Sequence, residues 1–385
     1  MESNTTEFIV DAGSLYDHFM TISDKRKKRG IRYSLPTLLL LIVLAKLCGE
    51  DQPYGIADWV HSRKDLLLDT LHLAYPRLPH HTTYGRILAD HEREIDGVVS
   101  GYLGQLPSAE QVSVITLDGK TLRGTLTEQD GFGLHLLTAY LPDVGIVLKH
   151  LPVEKDKENE IVVAPQLLES LNLQEKVVVG DAMHTQRGLS NQIIEAGGDF
   201  VWIVKNNQSK TRDAIEQLFT PQKPMRGLGD PPMDFATART INKAHGRLEE
   251  RTLTVSSLLN DYLDWPGVQQ VFKVERRFTY CNSGKVHHEI HYGITSLHAQ
   301  RADPQKLLEV IRTEWGIENG LHYRRDVTFH EDKTRMTRKR MAQAMACINN
   351  LVIALFYKHG FANHAHARRI LDAHPLAALA FICRL

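Results

Sequence analysis

Two short apolar runs each close on an aspartate, and they limit the fold more than any other feature of the chain. SVITLD ends at Asp118 and VVVGD at Asp181, and neither run alternates apolar with polar residues. A strand without alternation is buried on both faces, which calls for a sheet covered by helices. A carboxylate at the end of such a strand leaves the sheet at its edge, where α/β proteins bind ligands. Taken singly, each acid has an ordinary reading: Asp118-Gly119 as a turn, Asp181 as a helix cap. On neighbouring strands the two would repel, an arrangement a fold keeps mainly when a cation lies between them.

A third acid, Glu318, lies in the helical segment TEWGIENGLHYRRD, with Glu314 one turn before it and Arg325 about two turns after on much the same face. Alone, that face reads as solvated. Together with Asp118 and Asp181 it gives the oxygen-only donor set that Mg²⁺ or Mn²⁺ takes. Two such ions ~3.5–4 Å apart clamp the attacking and leaving oxygens of a phosphodiester displacement. The pairs His80-His81 and His287-His288 offer no comparable site, because adjacent residues on a strand point to opposite sides. GxSxG, Walker and GxGxxG patterns are missing, which leaves serine-hydrolase, P-loop and dinucleotide readings unsupported.

The chain divides by texture. Residues 1–108 read as helical, including the apolar run Leu35–Cys48, HSRKDLLLDTLHLAYPRL and HTTYGRILADHEREIDGVVSGYL. Residues 109–360 read as an α/β domain in the order β-β-β-α-β-α-β, broken at about 221–286 by a β-rich insertion with a Pro/Gly-rich start, and closed by two long helices. Residues 361–385 read as a helical tail. The run Leu35–Cys48 is shorter than the ~20 residues a bilayer needs and holds Lys46, so it reads as a core helix.

Apolar residues make up 42% and charged residues 24%, which excludes a disordered or coiled-coil chain. Lys+Arg and Asp+Glu both number 46, so bulk charge does not drive binding and local patches must. One such patch is DKRKKRGIR, with Lys25, Arg26, Lys27, Lys28, Arg29 and Arg32. A second holds Lys333, Arg335, Arg338, Lys339 and Arg340. Both suit phosphate contacts that position a duplex without reading its sequence. Lys120 and Arg123, just past the first acid, are candidate phosphate clamps, with Lys205 and Asn207 as further candidates and turn residues as the alternative. Cys48, Cys281, Cys347 and Cys383 are widely spaced, so neither a disulfide framework nor a zinc site is expected. The polar, acidic start lacks the pattern of a signal peptide, and the cytoplasm is the expected compartment.

LDGKTLRG, VVVGDAMHTQ, FVWIVKNNQ, HGRLEERTLTV and EWGIENGLHYRRDVTFHEDKTR, in this order, resemble the H-repeat-associated group of bacterial insertion-sequence DDE transposases. The N-terminal part resembles the helical, DNA-binding region that precedes the catalytic domain in that group. The resemblance implies an RNase H-like mixed sheet with flanking helices and a β-rich insertion. Mapped by motif, it implies a triad of Asp118, Asp181 and Glu318 that holds Mg²⁺ or Mn²⁺, two ions in all. It also implies cleavage of element ends, strand transfer into target DNA, and a homodimer assembled on terminal repeats in the bacterial cytoplasm. The chain departs from the group's pattern at Glu314, where His or Arg is usual, and at Arg324 and Arg325, where apolar residues are usual. A DNA-binding copy without catalysis, or a nuclease of the same fold, are the alternatives.

Overall fold

Nine strands form one sheet in a computed structural model that describes residues 15–29, 31–106, 113–127, 131–154, 159–220, 233–244 and 246–383. They are β1 (Val114–Leu122), β2 (Leu134–Leu141), β3 (Ile146–Val153), β4 (Val177–Gly180), β5 (Asp199–Val204), β6 (Ala236–Ala244), β7 (Arg247–Ser256), β8 (Gln270–Tyr280) and β9 (Val286–Thr295). Their order is β3-β2-β1-β4-β5-β9-β8-β7-β6. The first three run antiparallel, while β1, β4 and β5 are parallel neighbours. This is the mixed, RNase H-like core expected from the sequence. The unalternating run of β4 is buried throughout, as a strand covered on both faces must be.

The Pro/Gly-rich start of the insertion lies outside the described residues. Its strands β6, β7 and β8 do not form a module of their own. They pair in antiparallel succession onto β9, and β9 pairs with β5, so the insertion widens the core sheet.

The N-terminal helices are α1 (Leu15–Met20), α2 (Leu35–Leu47), α3 (Pro53–Ser62), α4 (Lys64–Thr70), α5 (His81–Asp90) and α6 (Glu92–Gly104). Two segments that read as helical from their spacing are interrupted. The first stops at Thr70 because His72 takes a left-handed backbone with φ 48°. The second breaks into α5 and α6 at His91. Beyond the sheet's first strands follow α7 (Glu160–Glu169), α8 (Arg187–Glu195), α9 (Ser209–Phe219), α10 (Pro304–Ile317), α11 (Lys339–Lys358), α12 (His364–Ala373) and α13 (Pro375–Cys383).

The apolar run is α2, a core helix capped by Ser34, whose hydroxyl accepts from Thr37 N–H. Its Lys46 is fully buried and lies 2.5 Å from Asp51. A single apolar core joins α1, α2, α5 and α6 to β1–β3, α11 and the C-terminal helices. The helical block is thus welded to the sheet through α11. Among the described residues, no helix is long and apolar enough to cross a membrane.

Candidate active site

Across the parallel pair β1 and β4, Leu117 is in register with Gly180. Asp118 and Asp181 are the residues that follow this pair, one within β1 and one just past the end of β4. The expectation that Asp118 ends its strand needs correction. β4 stops at Gly180, but β1 runs on to Leu122 against β2, with Asp118 opposite Thr138. One acid is therefore held rigidly inside a ladder while the other caps the turn after its strand.

Asp181 accepts a hydrogen bond from Met183 N–H at 2.9 Å, and His184 Nδ1 lies 3.0 Å from the same oxygen. Behind it runs a chain of polar groups: His184 Nε2 is 3.5 Å from Glu160, whose other oxygen is 2.8 Å from His135, which is 2.7 Å from the Thr121 hydroxyl. Asp118 accepts from Gly119 N–H at 2.9 Å. Asn207 braces the turn after Asp181 by donating to the Ala182 carbonyl at 2.6 Å, so its amide is occupied in structure.

The third element arrives on α10, which passes into a π-helical turn at Glu318–His322. Gly316 and Gly320, four apart, make the approach possible. A Cβ on Gly316 would stand 2.9 Å from Pro142, and one on Gly320 would stand 2.6 Å from the Tyr140 hydroxyl. The close packing seats this turn against the end of β2, with Glu318 near Asp118 of β1. π-turns of this kind recur at functional sites.

Donor atoms of Asp118, Glu318 and His322 all lie within 4.8 Å of one another, a spacing that fits a divalent cation. His322 is a residue sequence reasoning passed over, though its place one turn beyond Glu318 was a usable signal. Asp181 stands outside this closest cluster. Burial, more than the nearby Glu318 charge, pushes Asp118 up to about 6 against the opposing pull of His322. For Asp181 burial is outweighed by His184 and by backbone N–H groups, and its pKa falls below the ordinary value. His322 likewise holds Glu318 below the ordinary range. Glu314 faces the other side, in a cavity of about 230 Å³ shared with Asp181, Lys205, Arg276, Glu289 and His291. Burial and the charges of Asp181 and Asp118 push it up to about 7. The widened sheet thus contributes β8 and β9 side chains to the site's rim, a contribution the sequence did not reveal.

The basic residues fall into two groups. Lys120 is buried, 2.6 Å from Asp326, and Arg325 is fully buried, 2.7 Å from Glu331. Each is held by a fixed anion, as a desolvated cation of this kind requires. Arg324 lies over the ring of Tyr357. The unusual arginines are thus packing residues. Arg123, Lys205, Lys27, Lys28, Arg29, Arg32, Arg335, Arg338, Lys339 and Arg340 are exposed. Lys25 pairs with Glu94, and Arg26 lies 2.6 Å from Asp24. Lys339 and Arg340 line one groove of about 890 Å³ with Glu92, Arg93 and Lys149. Lys25 pairs with Glu94 while Lys339 and Arg340 border Glu92 and Arg93, so each basic segment has a neighbour in the first turn of α6.

Residues 111–355 match the family model described as "Transposase DDE domain", and residues 16–95 match the model described as "DDE_Tnp_1-associated". The chain belongs to the DDE transposase family. It is 27% identical over 357 residues to the "H repeat-associated putative transposase YhhI" of Escherichia coli K12, covering 89% of this chain and 90% of that one. An "Uncharacterized protein in dhlA 3'region" of Xanthobacter autotrophicus is 30% identical over 270 residues, covering 67% of this chain and 87% of the relative. Among solved structures, a piggyBac transposase in a synaptic complex with hairpin DNA is similar at a TM-score of 0.44 and 12% identity, over 97% of this chain and 78% of that one.

Proposed function

We propose that this chain is a DNA transposase that cuts the ends of an insertion-sequence element and joins the freed 3′-hydroxyl to target DNA in one active site. The observation that carries this reading is the cluster of Asp118 with Glu318, with Asp181 following the strand that pairs in parallel with β1. Asp118, Asp181 and Glu318 would hold Mg²⁺ or Mn²⁺, two ions in this reading. When bound, the ions supply charge stabilisation for the attacking and leaving oxygens. The chain's own contribution is preorganisation. Gly119 N–H fixes one carboxylate, Met183 N–H and His184 fix another, and the glycine-packed π-turn fixes the third. Exposed Lys205 and Arg123 are the phosphate-facing cations at the rim. The basic surface of 25–32 and 335–340 holds duplex through phosphates, and two copies pair on DNA in the bacterial cytoplasm so that each handles one end.

The test is one reaction containing DNA with candidate element ends, Mg²⁺ and a target plasmid. End cleavage and joined products are expected, both lost in Asp118→Asn. Cleavage without joining would replace this reading with a nuclease of the same fold, and binding with neither would replace it with a DNA-binding copy.

A further inference from the structure

We propose that His322 is a nitrogen ligand of the cation held by Asp118 and Glu318, which makes that position a mixed nitrogen–oxygen site that prefers Mn²⁺ to Mg²⁺. The inference rests on the transposase reading in one respect: it takes those two acids as metal-holding.

His322 Nδ1 lies 3.4 Å from Asp118 Oδ2 and 3.8 Å from Glu318 Oε2. Both separations exceed the ~3.2 Å limit of an ordinary N–H···O bond. They suit atoms that share an ion. Ligands about 2.0–2.3 Å from a common centre stand about 3 Å apart when adjacent and about 4–4.5 Å apart when opposite. The imidazole is buried, and the π-turn places it four residues after Glu318, facing the same space. Its rear Nε2 is buried and has no hydrogen-bond partner among the described residues, so no second group turns the ring away from the two carboxylates. His184, the rival imidazole, is committed elsewhere: its Nδ1 is 3.0 Å from Asp181, within hydrogen-bond reach. A neutral imidazole is a good donor to first-row divalent ions, whereas Mg²⁺ selects oxygen and keeps its water.

Pulsed electron paramagnetic resonance on the whole chain loaded with Mn²⁺ alone reads this directly. The wild type should show the nitrogen-14 modulation of a directly bound imidazole, replaced by nitrogen-15 lines after selective labelling of histidine. His322→Gln should abolish it and weaken Mn²⁺ binding by about tenfold or more, a loss at least as large as removing an outer partner causes. His184→Gln should keep it, and Mg²⁺ should bind the wild type more weakly than Mn²⁺. If His322→Gln fails to fold by circular dichroism, His322→Asn takes its place. Modulation that survives in the His322 variant, bound Mn²⁺ without any modulation, or equal affinity for the two ions would overturn the proposal. Mn²⁺ binding that Asp118→Asn removes but that carries no nitrogen signal overturns this inference alone. No Mn²⁺ bound at any concentration removes the catalytic reading as well.

Discussion

The carboxylate of Glu160 occupies the space where a side chain on Gly119 would begin: a Cβ there would meet Glu160 Oε1 at 2.1 Å and His135 Nε2 at 2.7 Å. The glycine after the first acid is thus set by close approach, not by a turn, since β1 continues through it. Gly119 gives the Glu160–His135 pair room to pass beneath Asp118 and reach His184 behind Asp181. The two acids share one polar support.

Gly119→Ala should therefore destabilise the protein by about 1–3 kcal/mol, the usual cost of forcing extra volume into a packed site. Adding Glu160→Ala should recover part of the loss, because it vacates the space the new methyl needs. Urea unfolding of the two single variants and the double variant checks this. Strictly additive losses would show that Glu160 is not what the methyl strikes.

Lys120 gives a second test, since its place near Asp118 first suggests a phosphate contact. It is buried and bound to Asp326, which lies in the segment after the π-turn, so it ties that segment to β1. Removing one partner of a buried pair commonly costs about 3–5 kcal/mol, while replacing both with apolar residues costs far less. Asp326 is about one-third exposed, which places the expected loss for Lys120→Met below that range. The double variant Lys120→Met/Asp326→Leu should regain much of it. Unfolding midpoints decide between the roles: a phosphate clamp would leave stability unchanged and weaken DNA binding alone.

The core strands are legible in the sequence because their burial leaves only one period to read. LHLLTAYL falls on β2, and VVVGD marks β4 and the acid beyond it. What stays hidden is fixed by contacts distant along the chain. Lys120 and Arg325 look like surface cations until Asp326 and Glu331 fold onto them. The π-turn at Glu318–His322 depends on Gly316 and Gly320 meeting Pro142 and Tyr140, and helical periodicity carries no trace of that packing. ERTLTVSS and VQQVFKVERRFTYC read as strand-like and fall on β7 and β8, but pairing of β9 with β5, and so Arg276 and His291 at the rim, is a tertiary fact. His91 divides what reads as one helix for a similar reason, since propensity yields to the packing of α5 and α6 on α11.

The basic segment makes a prediction on binding. Lys27, Lys28 and Arg29 are exposed, and so is Lys25, but Glu94 engages Lys25. Replacing these three with Ala should weaken binding to every duplex alike and reduce the slope of log K against log salt by about one unit per lost contact. Fluorescence anisotropy across a salt series measures both. An unchanged slope would return the segment to the status of a solvated face.

Glu314 and Glu318, one turn apart, should separate by pH as well as by catalysis. Burial and the neighbouring Asp181 and Asp118 charges push Glu314 up to about 7, above the value of an unfolded carboxyl. The folded state therefore disfavours its charged form, and stability present at low pH is lost as pH rises through that value. In metal-free buffer, Glu314→Gln should match the wild type near pH 4 and melt at a higher temperature near pH 8. Glu318 carries the opposite shift, so its own linkage has the opposite sign: His322 stabilises its charge, and that stability is lost as pH falls through its lowered pKa. Glu318→Gln should be no more stable than the wild type near pH 8. In the cleavage assay the roles reverse in importance. Glu318→Gln keeps size but removes a charge beside Asp118, and turnover should fall by orders of magnitude while duplex binding survives. Glu314→His, which removes a like charge from the Asp181 side of the site, should leave turnover equal or higher. Loss of cleavage in Glu314→Gln with retention in Glu318→Gln would move the third acid one turn back along α10.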